Sequence, residues 1–250
     1  MAEFDRPSVA ARPGTAAVID EGLRSYMLRV YNYMGIGLVV TGLVAYFTYA
    51  NSFIEQGGRI VGVTALGDAL YNSPLQWVVM LAPLAFVLVL SFGITKLSVP
   101  VTQVLFWAFA AVMGLSLSSI FAVYTGGSIA KVFFISAATF GAMSLYGYTT
   151  KRDLTQFGSF LIMGLIGIMI ASIVNVFLQS SGLGFAISII GVLVFVGLTA
   201  WDTQKIKESY NDGFGAEVLA KGAIMGALSL YLDFINLFLM LLRLFGNQRN

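Results

Sequence analysis

AIMGALSLYLDFINLFLMLLRLFG, running from Ala223 to Gly246, is long enough to cross a bilayer: about 20 apolar residues rising ~1.5 Å each span the ~30 Å hydrocarbon core. One acidic side chain, Asp233, sits near its middle, where insertion of an Asp costs roughly 2.5–3.5 kcal/mol. A carboxyl at that depth calls for a partner, a wet cavity or a proton. Gly222, Gly226, Ser229, Asp233, Asn236, Met240 and Arg243 follow at alternating spacings of three and four, so they share one helical face. Leu228, Tyr231, Leu232, Ile235, Leu239 and Leu242 form an apolar face suited to lipid or to packing.

The rest of the 250-residue chain has the same character: 58% of it is hydrophobic and 10% charged, against about 25% charged in a soluble domain. The composition is that of an integral membrane protein. Cysteine and histidine are absent, which excludes disulfides, thiol nucleophiles, imidazole bases and His- or Cys-ligated zinc or haem. No cofactor is expected. Proton chemistry near neutral pH therefore falls to carboxyl groups. The net charge of +2 gives no footprint for nucleic acid.

Six further apolar stretches precede the last one. Residues 1–25 are small, polar and Pro-containing, without an apolar signal core, and read as a cytosolic disordered tail. Residues 26–250 read as a single seven-helix domain. The spans are expected at about Tyr31–Ala50, Gln76–Thr95, Val101–Tyr124, Ile129–Tyr148, Phe157–Leu178 and Leu183–Trp201, followed by the seventh. The long connection after the first span is polar and Gly-rich, with an apolar middle, Ile60–Leu70, suited to the membrane interface. Pro83 removes a hydrogen bond inside the second span and marks a kink or hinge. Ala110, Gly114 and Ser118 present a small-residue face on the third span. Gly164, Gly167, Ala171 and Asn175 share a face on the fifth, with Asn175 a polar contact or pore-lining candidate. Gly184, Ser188, Gly191, Phe195, Leu198 and Asp202 form a seam along the sixth.

Basic residues set the expected orientation. With the N-terminus cytoplasmic, that side holds Arg6, Arg12, Arg24, Arg29, Lys96, Lys151, Arg152, Lys205, Lys207 and Lys221. The opposite side holds Arg59, Lys131, Arg243 and Arg249. A plasma membrane with the C-terminus outside is the expected setting. In this frame Asp202 lies near the cytoplasmic face and Asp233 lies up to two turns deeper. A negative charge at a helix C-terminus opposes the macrodipole, so either the sixth helix continues past Asp202 or a cation stands beside it. Two other readings fail. Ser116, Ser118 and Ser119 have no histidine base, and a retinal-binding bundle would need a lysine in the last helix, where none lies beyond Lys221.

LSLYLDFINLFLMLLRLFG (228–246) and VGLTAWDTQKIK (196–207) resemble the two signature segments of the transmembrane Bax inhibitor motif family, in its bacterial branch. The resemblance implies an all-α, seven-helix membrane bundle with the C-terminal helix central, acting as a pH-sensitive calcium leak. It implies that Asp202 and Asp233 form a proton-sharing pair, and that Lys96, closing the second helix, latches onto the first acid. Ser229, Asn236 and Asn175 are the candidate polar lining. Calcium or another cation would be held only transiently near the two acids, with no tight metal site. The second function class implied is a non-conducting regulator that binds a membrane protease or another membrane protein.

Overall fold

The computed structural model of the protein describes residues 13–57 and 59–249. Among the described residues nine helices and one hairpin follow in chain order: α1 (Pro13–Ser52), β1 (Phe53–Gln56), β2 (Arg59–Val63), α2 (Ala65–Tyr71), α3 (Leu75–Gly93), α4 (Val99–Leu117), α5 (Ile120–Val123), α6 (Gly126–Thr149), α7 (Thr155–Leu178), α8 (Ser181–Glu208) and α9 (Ala216–Phe245). Seven stretches are long and apolar enough to span a membrane, with α4 and α5 together forming one of them. The protein is an all-α, multi-span membrane protein.

Several boundaries differ from the sequence expectation. The expected tail over 1–25 is helical from Pro13, so α1 starts well before the apolar run; residues 1–12 lie outside the described residues. At 40 residues α1 is about 60 Å long, which carries its first turns beyond a hydrocarbon core. The long connection is not merely a loop. It folds as an antiparallel hairpin, pairing Phe53 with Val63 and Gln56 with Arg59, and Gly57 takes a φ of 61° in the turn, where a side chain would be strained. Helix α2 then starts at Thr64, whose hydroxyl accepts from the Gly67 amide at 3.2 Å.

Helix α9 is the centre of the bundle. In its most apolar 18-residue window 72% of residues are buried, against 11% for α3 and for α7. It packs against α1, α4, α6 and α8, while α3 lies outside against α4, and α7 against α8. The apolar face of α9 is therefore used for packing and not for lipid: Leu228, Tyr231 and Leu242 are buried. Lipid-facing residues concentrate instead on the outer helices, as with Phe92 of α3 and Phe177 of α7, both more than 80% exposed.

Close contact follows the small residues. Gly114 of α4 leaves room for α1, since a Cβ there would stand 2.7 Å from the Thr41 carbonyl oxygen. Ala110, Gly114 and Ser118 are all buried along this seam. At the same contact Thr41 donates to the Ala110 carbonyl at 2.8 Å and pairs with the Tyr231 hydroxyl at 2.6 Å, joining α1, α4 and α9. Pro83 is buried within α3. Its ring cannot donate to the Val79 carbonyl four residues back, and the Ser116 hydroxyl of α4 donates there instead. Helix α3 is thus pinned to its neighbour at the site of the missing bond.

The C-terminal segment closes one end of the bundle. The Thr125 amide donates to the Asn247 carbonyl at 3.0 Å, and the Arg249 amide donates to the Val123 carbonyl at 2.9 Å. The Arg249 guanidinium forms an ion pair with Glu55 of the hairpin and lies 5.4 Å from the Tyr49 ring centroid. The Tyr49 hydroxyl also donates to Glu55. These two bonds hold the Glu55 carboxyl below the usual glutamate range, the Tyr49 bond being the larger cause.

Candidate functional site

Helices α8 and α9 are antiparallel neighbours, and their register decides whether the two aspartates meet. Along their interface Gly226 lies against Ile206 and Gly191 against Met240. That register sets Asp202 level with residues 229–230, so Asp233 is three to four residues further, about 5 Å by helical rise. The two carboxyl groups stand within hydrogen-bonding reach of each other. Counting each residue from the end of its own apolar run overstates their separation for a simple reason. Helix α8 continues to Glu208 and α9 begins at Ala216, and the first turns of α9 extend beyond the end of α8.

Asp233 is buried at 5% exposure, and its Oδ2 has no hydrogen-bond partner among the described residues. Asp202 is half-buried. It stands two turns before the end of α8, so the helix does continue past it, and the charge of Lys205 also acts on it. Lys205 is exposed, with its Nζ 4.9 Å from the Trp201 ring centroid. Two charged carboxylates ~4 Å apart would repel by about 4 kcal/mol at an effective dielectric of 20. A single proton between them relieves the repulsion and gives a buried acceptor a donor.

The residues following Asp202 tie α8 to α6 and to the α6–α7 connection. Thr203 is fully buried and pairs with Ser144 of α6 at 3.0 Å, and Ser144 pairs in turn with Tyr31 of α1 at 2.6 Å. Gln204 receives the Leu154 amide and donates to the Arg152 carbonyl, both at 2.8 Å, holding the α6–α7 connection. The Lys207 Nζ donates to the Tyr148 carbonyl at 2.7 Å near the end of α6. Gly147 lets α6 come this close, since a Cβ there would lie 2.1 Å from the Ala200 carbonyl oxygen. Thr203, Gln204 and Lys205 were not singled out from the sequence, because polar residues at a helix end look like a solvated terminus. The signal that could have found them is the DTQK run itself, too polar for its place directly after an apolar span.

The remaining candidates are dispersed. Ser229 and Asn236 lie within one turn of Asp233 on α9, both half-buried, and Asn236 Nδ2 donates to the Leu232 carbonyl of its own helix at 2.8 Å. Asn175 lies in the last turn of α7, its Oδ1 accepting the Ser180 amide at 3.1 Å while Gln179 takes a left-handed conformation. Lys96 is exposed beyond the end of α3 and forms no ion pair among the described residues. The Lys96–Asp202 latch implied by the resemblance is not formed in this structure. Lys96 follows α3, which packs against α4 on the outside of the bundle.

Seven membrane-length helices, with two aspartates brought together between α8 and α9, define a multi-span membrane protein. Comparison with known families matches residues 23–250 to the family described as inhibitor of apoptosis-promoting Bax1. The inner membrane protein YbhL of Escherichia coli is 52% identical over 231 residues, covering 91% of this chain and 94% of YbhL. A protein of Rickettsia prowazekii is 49% identical over 231 residues, 92% of this chain and 93% of its own length. A membrane protein of Streptococcus pyogenes is 36% identical over 230 residues, covering 92% and 95%. The chain belongs to the Bax inhibitor-1 family.

Proposed function

We propose that the protein passes calcium or another cation down its gradient across the membrane, gated by the proton shared between Asp202 and Asp233. The observation that carries this reading is the meeting of two carboxyl groups between the two most buried spans, with Asp233 Oδ2 left without a partner. With the proton in place the pair is a neutral-plus-one-charge unit joining α8 to α9. Its loss leaves two negative charges in a low-dielectric core, which a cation relieves. Calcium takes six to eight oxygens. Two carboxyls, the Ser229 hydroxyl and main-chain carbonyls offer fewer, so the ion is held transiently and can leave.

The membrane is the bacterial plasma membrane, as supported by the name of the E. coli relative. The bias of basic residues supports a cytoplasmic N-terminus and an external C-terminus.

Calcium flux into proteoliposomes, measured across a pH series, tests the gate. Asp202→Asn and Asp233→Asn should each flatten the pH dependence, and the double variant should match either single one, because the two residues act as one unit. An unaltered pH profile in Asp233→Asn would sink the proposal. Absence of flux in the wild-type chain, with a membrane protease or other membrane protein co-purifying, would favour a non-conducting regulator.

A further inference from the structure

Away from the aspartate pair, a groove of about 680 Å³ opens between α1 and α4 at the end of the bundle where α9 begins. Arg24, Arg29 and Asn32 of α1 stand in it, all exposed, with Tyr33 of α1 and Trp107 of α4 beside them. Among the described residues neither arginine forms an ion pair. One acid, Glu21, also borders the groove, so its lining among the described residues carries a net positive charge. The Tyr33 and Trp107 rings are 5.6 Å apart. Gln103 donates to the Tyr33 hydroxyl, whose own proton is then directed to a further acceptor.

The level of this groove is that of a membrane interface. Tyr26 of α1 lies against Gly222 in the first turns of α9, and after Asn32 α1 carries no charged or amide side chain until Asn51. Tyr and Trp at that height match the aromatic belts of membrane proteins. Below the arginines, α1 exposes a continuous apolar stripe, Ile36, Val39, Leu43 and Phe47, spaced to share one helical face. A bulky cationic mouth opening onto an apolar stripe is complementary to a molecule with an anionic head and an acyl chain.

We propose that this groove binds one anionic phospholipid, its phosphate held by Arg24 and Arg29 and an acyl chain laid along the α1 stripe. Arginine suits the task because its planar fork engages two phosphate oxygens at once. The lipid would brace α1, which touches both α4 and α9.

Native mass spectrometry of the full chain, released from detergent and titrated with lipid, tests the assignment. Phosphatidylglycerol should be retained at one copy per chain, more tightly than phosphatidylethanolamine with the same acyl chains. Each basic group near an anionic surface contributes about fivefold to binding, so Arg24→Gln/Arg29→Gln should weaken phosphatidylglycerol retention about 25-fold. Lys151→Gln/Arg152→Gln, at the same end of the bundle but outside the groove, should retain it. Melting temperatures of both variants within a few degrees of wild type would show that folding is intact, and a lowered melting temperature restored by added phosphatidylglycerol would equally support the site. Equal binding of the two lipids, or equal loss in the Lys151/Arg152 variant, would overturn it. Displacement of phosphatidylglycerol by millimolar inorganic phosphate would assign the arginines to free phosphate and defeat the lipid reading.

Discussion

At the scale of single residues, Asp233 was legible because a lone acid stands out in an apolar run of helix length. Asp202 was legible chiefly as part of the WDTQK segment. The same segment puts a cation, Lys205, one turn from Asp202 on the same helix. Lys205 acts on Asp202, whereas Lys96 on an outer helix does not pair with it. Removing a positive charge makes proton loss from the pair harder, so Lys205→Gln should move the pH profile of flux to higher pH. Lys205 is exposed, and exposed charge pairs are worth about 0–1 kcal/mol, which bounds the shift at roughly 0.7 pH unit. Lys96→Gln should leave the profile in place, and a shift there equal to that of Lys205→Gln would restore the latch. Glu55 offers an independent titration at the other end. Its carboxyl is held low by Tyr49 and Arg249, so its contribution is present above the ordinary glutamate range near ~4.3 and is lost as pH falls through the lowered folded value. Glu55→Gln should therefore cost at most about 1 kcal/mol at neutral pH. The melting-temperature difference from wild type should vanish in acid; a constant difference at every pH would remove the carboxylate from the account.

At the scale of elements, the seven spans followed from hydropathy alone, because a bilayer admits so few backbone solutions. Their packing partners followed only where small residues recur at four-residue spacing, as on α4. The β-hairpin is not legible in the sequence, since its strands are four and five residues long and Gly62 interrupts the second. The register of α8 on α9 also escaped, because sequence gives where a helix is apolar but not how far its polar end overhangs its neighbour. Ser116 is the clearest case of a role visible only in three dimensions. Without a histidine it is no nucleophile, yet it supplies the hydrogen bond that Pro83 denies to Val79. Ser116→Ala should leave that carbonyl without its donor and destabilise the fold by about 0.6–1.7 kcal/mol, the range for hydrogen bonds between membrane helices. Thermal denaturation in detergent reads this directly. Pro83→Ala restores the helix's own bond, so in that background the Ser116→Ala cost should shrink; an unchanged cost would mean that the serine acts through packing.

At the scale of the whole molecule, the two ends of the bundle differ in kind. One end gathers the start of α9, the end of α8 and the α6–α7 connection, where Arg24, Arg29, Lys151, Arg152, Lys205, Lys207 and Lys221 lie. The other is closed by the C-terminal segment clasped to α5, α6 and the hairpin, and holds Arg59, Lys131, Arg243 and Arg249. The early part of α1 meets the first group, with Tyr26 beside Gly222, and the chain ends in the second. Seven crossings make this arrangement unavoidable: an odd number of spans puts the termini on opposite sides. The basic bias then selects which side is cytoplasmic, since positive residues near span ends resist translocation. Reporters fused to the N-terminus and after Asn250 should therefore label from the cytoplasmic and the external side respectively. Moving three of the basic residues near α1, through Arg24→Gln, Arg29→Gln and Arg12→Gln together, should leave a minority of molecules inverted, because seven basic residues still mark that end. If both wild-type termini report the cytoplasm, α9 does not cross, and Asp233 would then meet Asp202 outside the bilayer, where a shared proton has no low-dielectric core to gate.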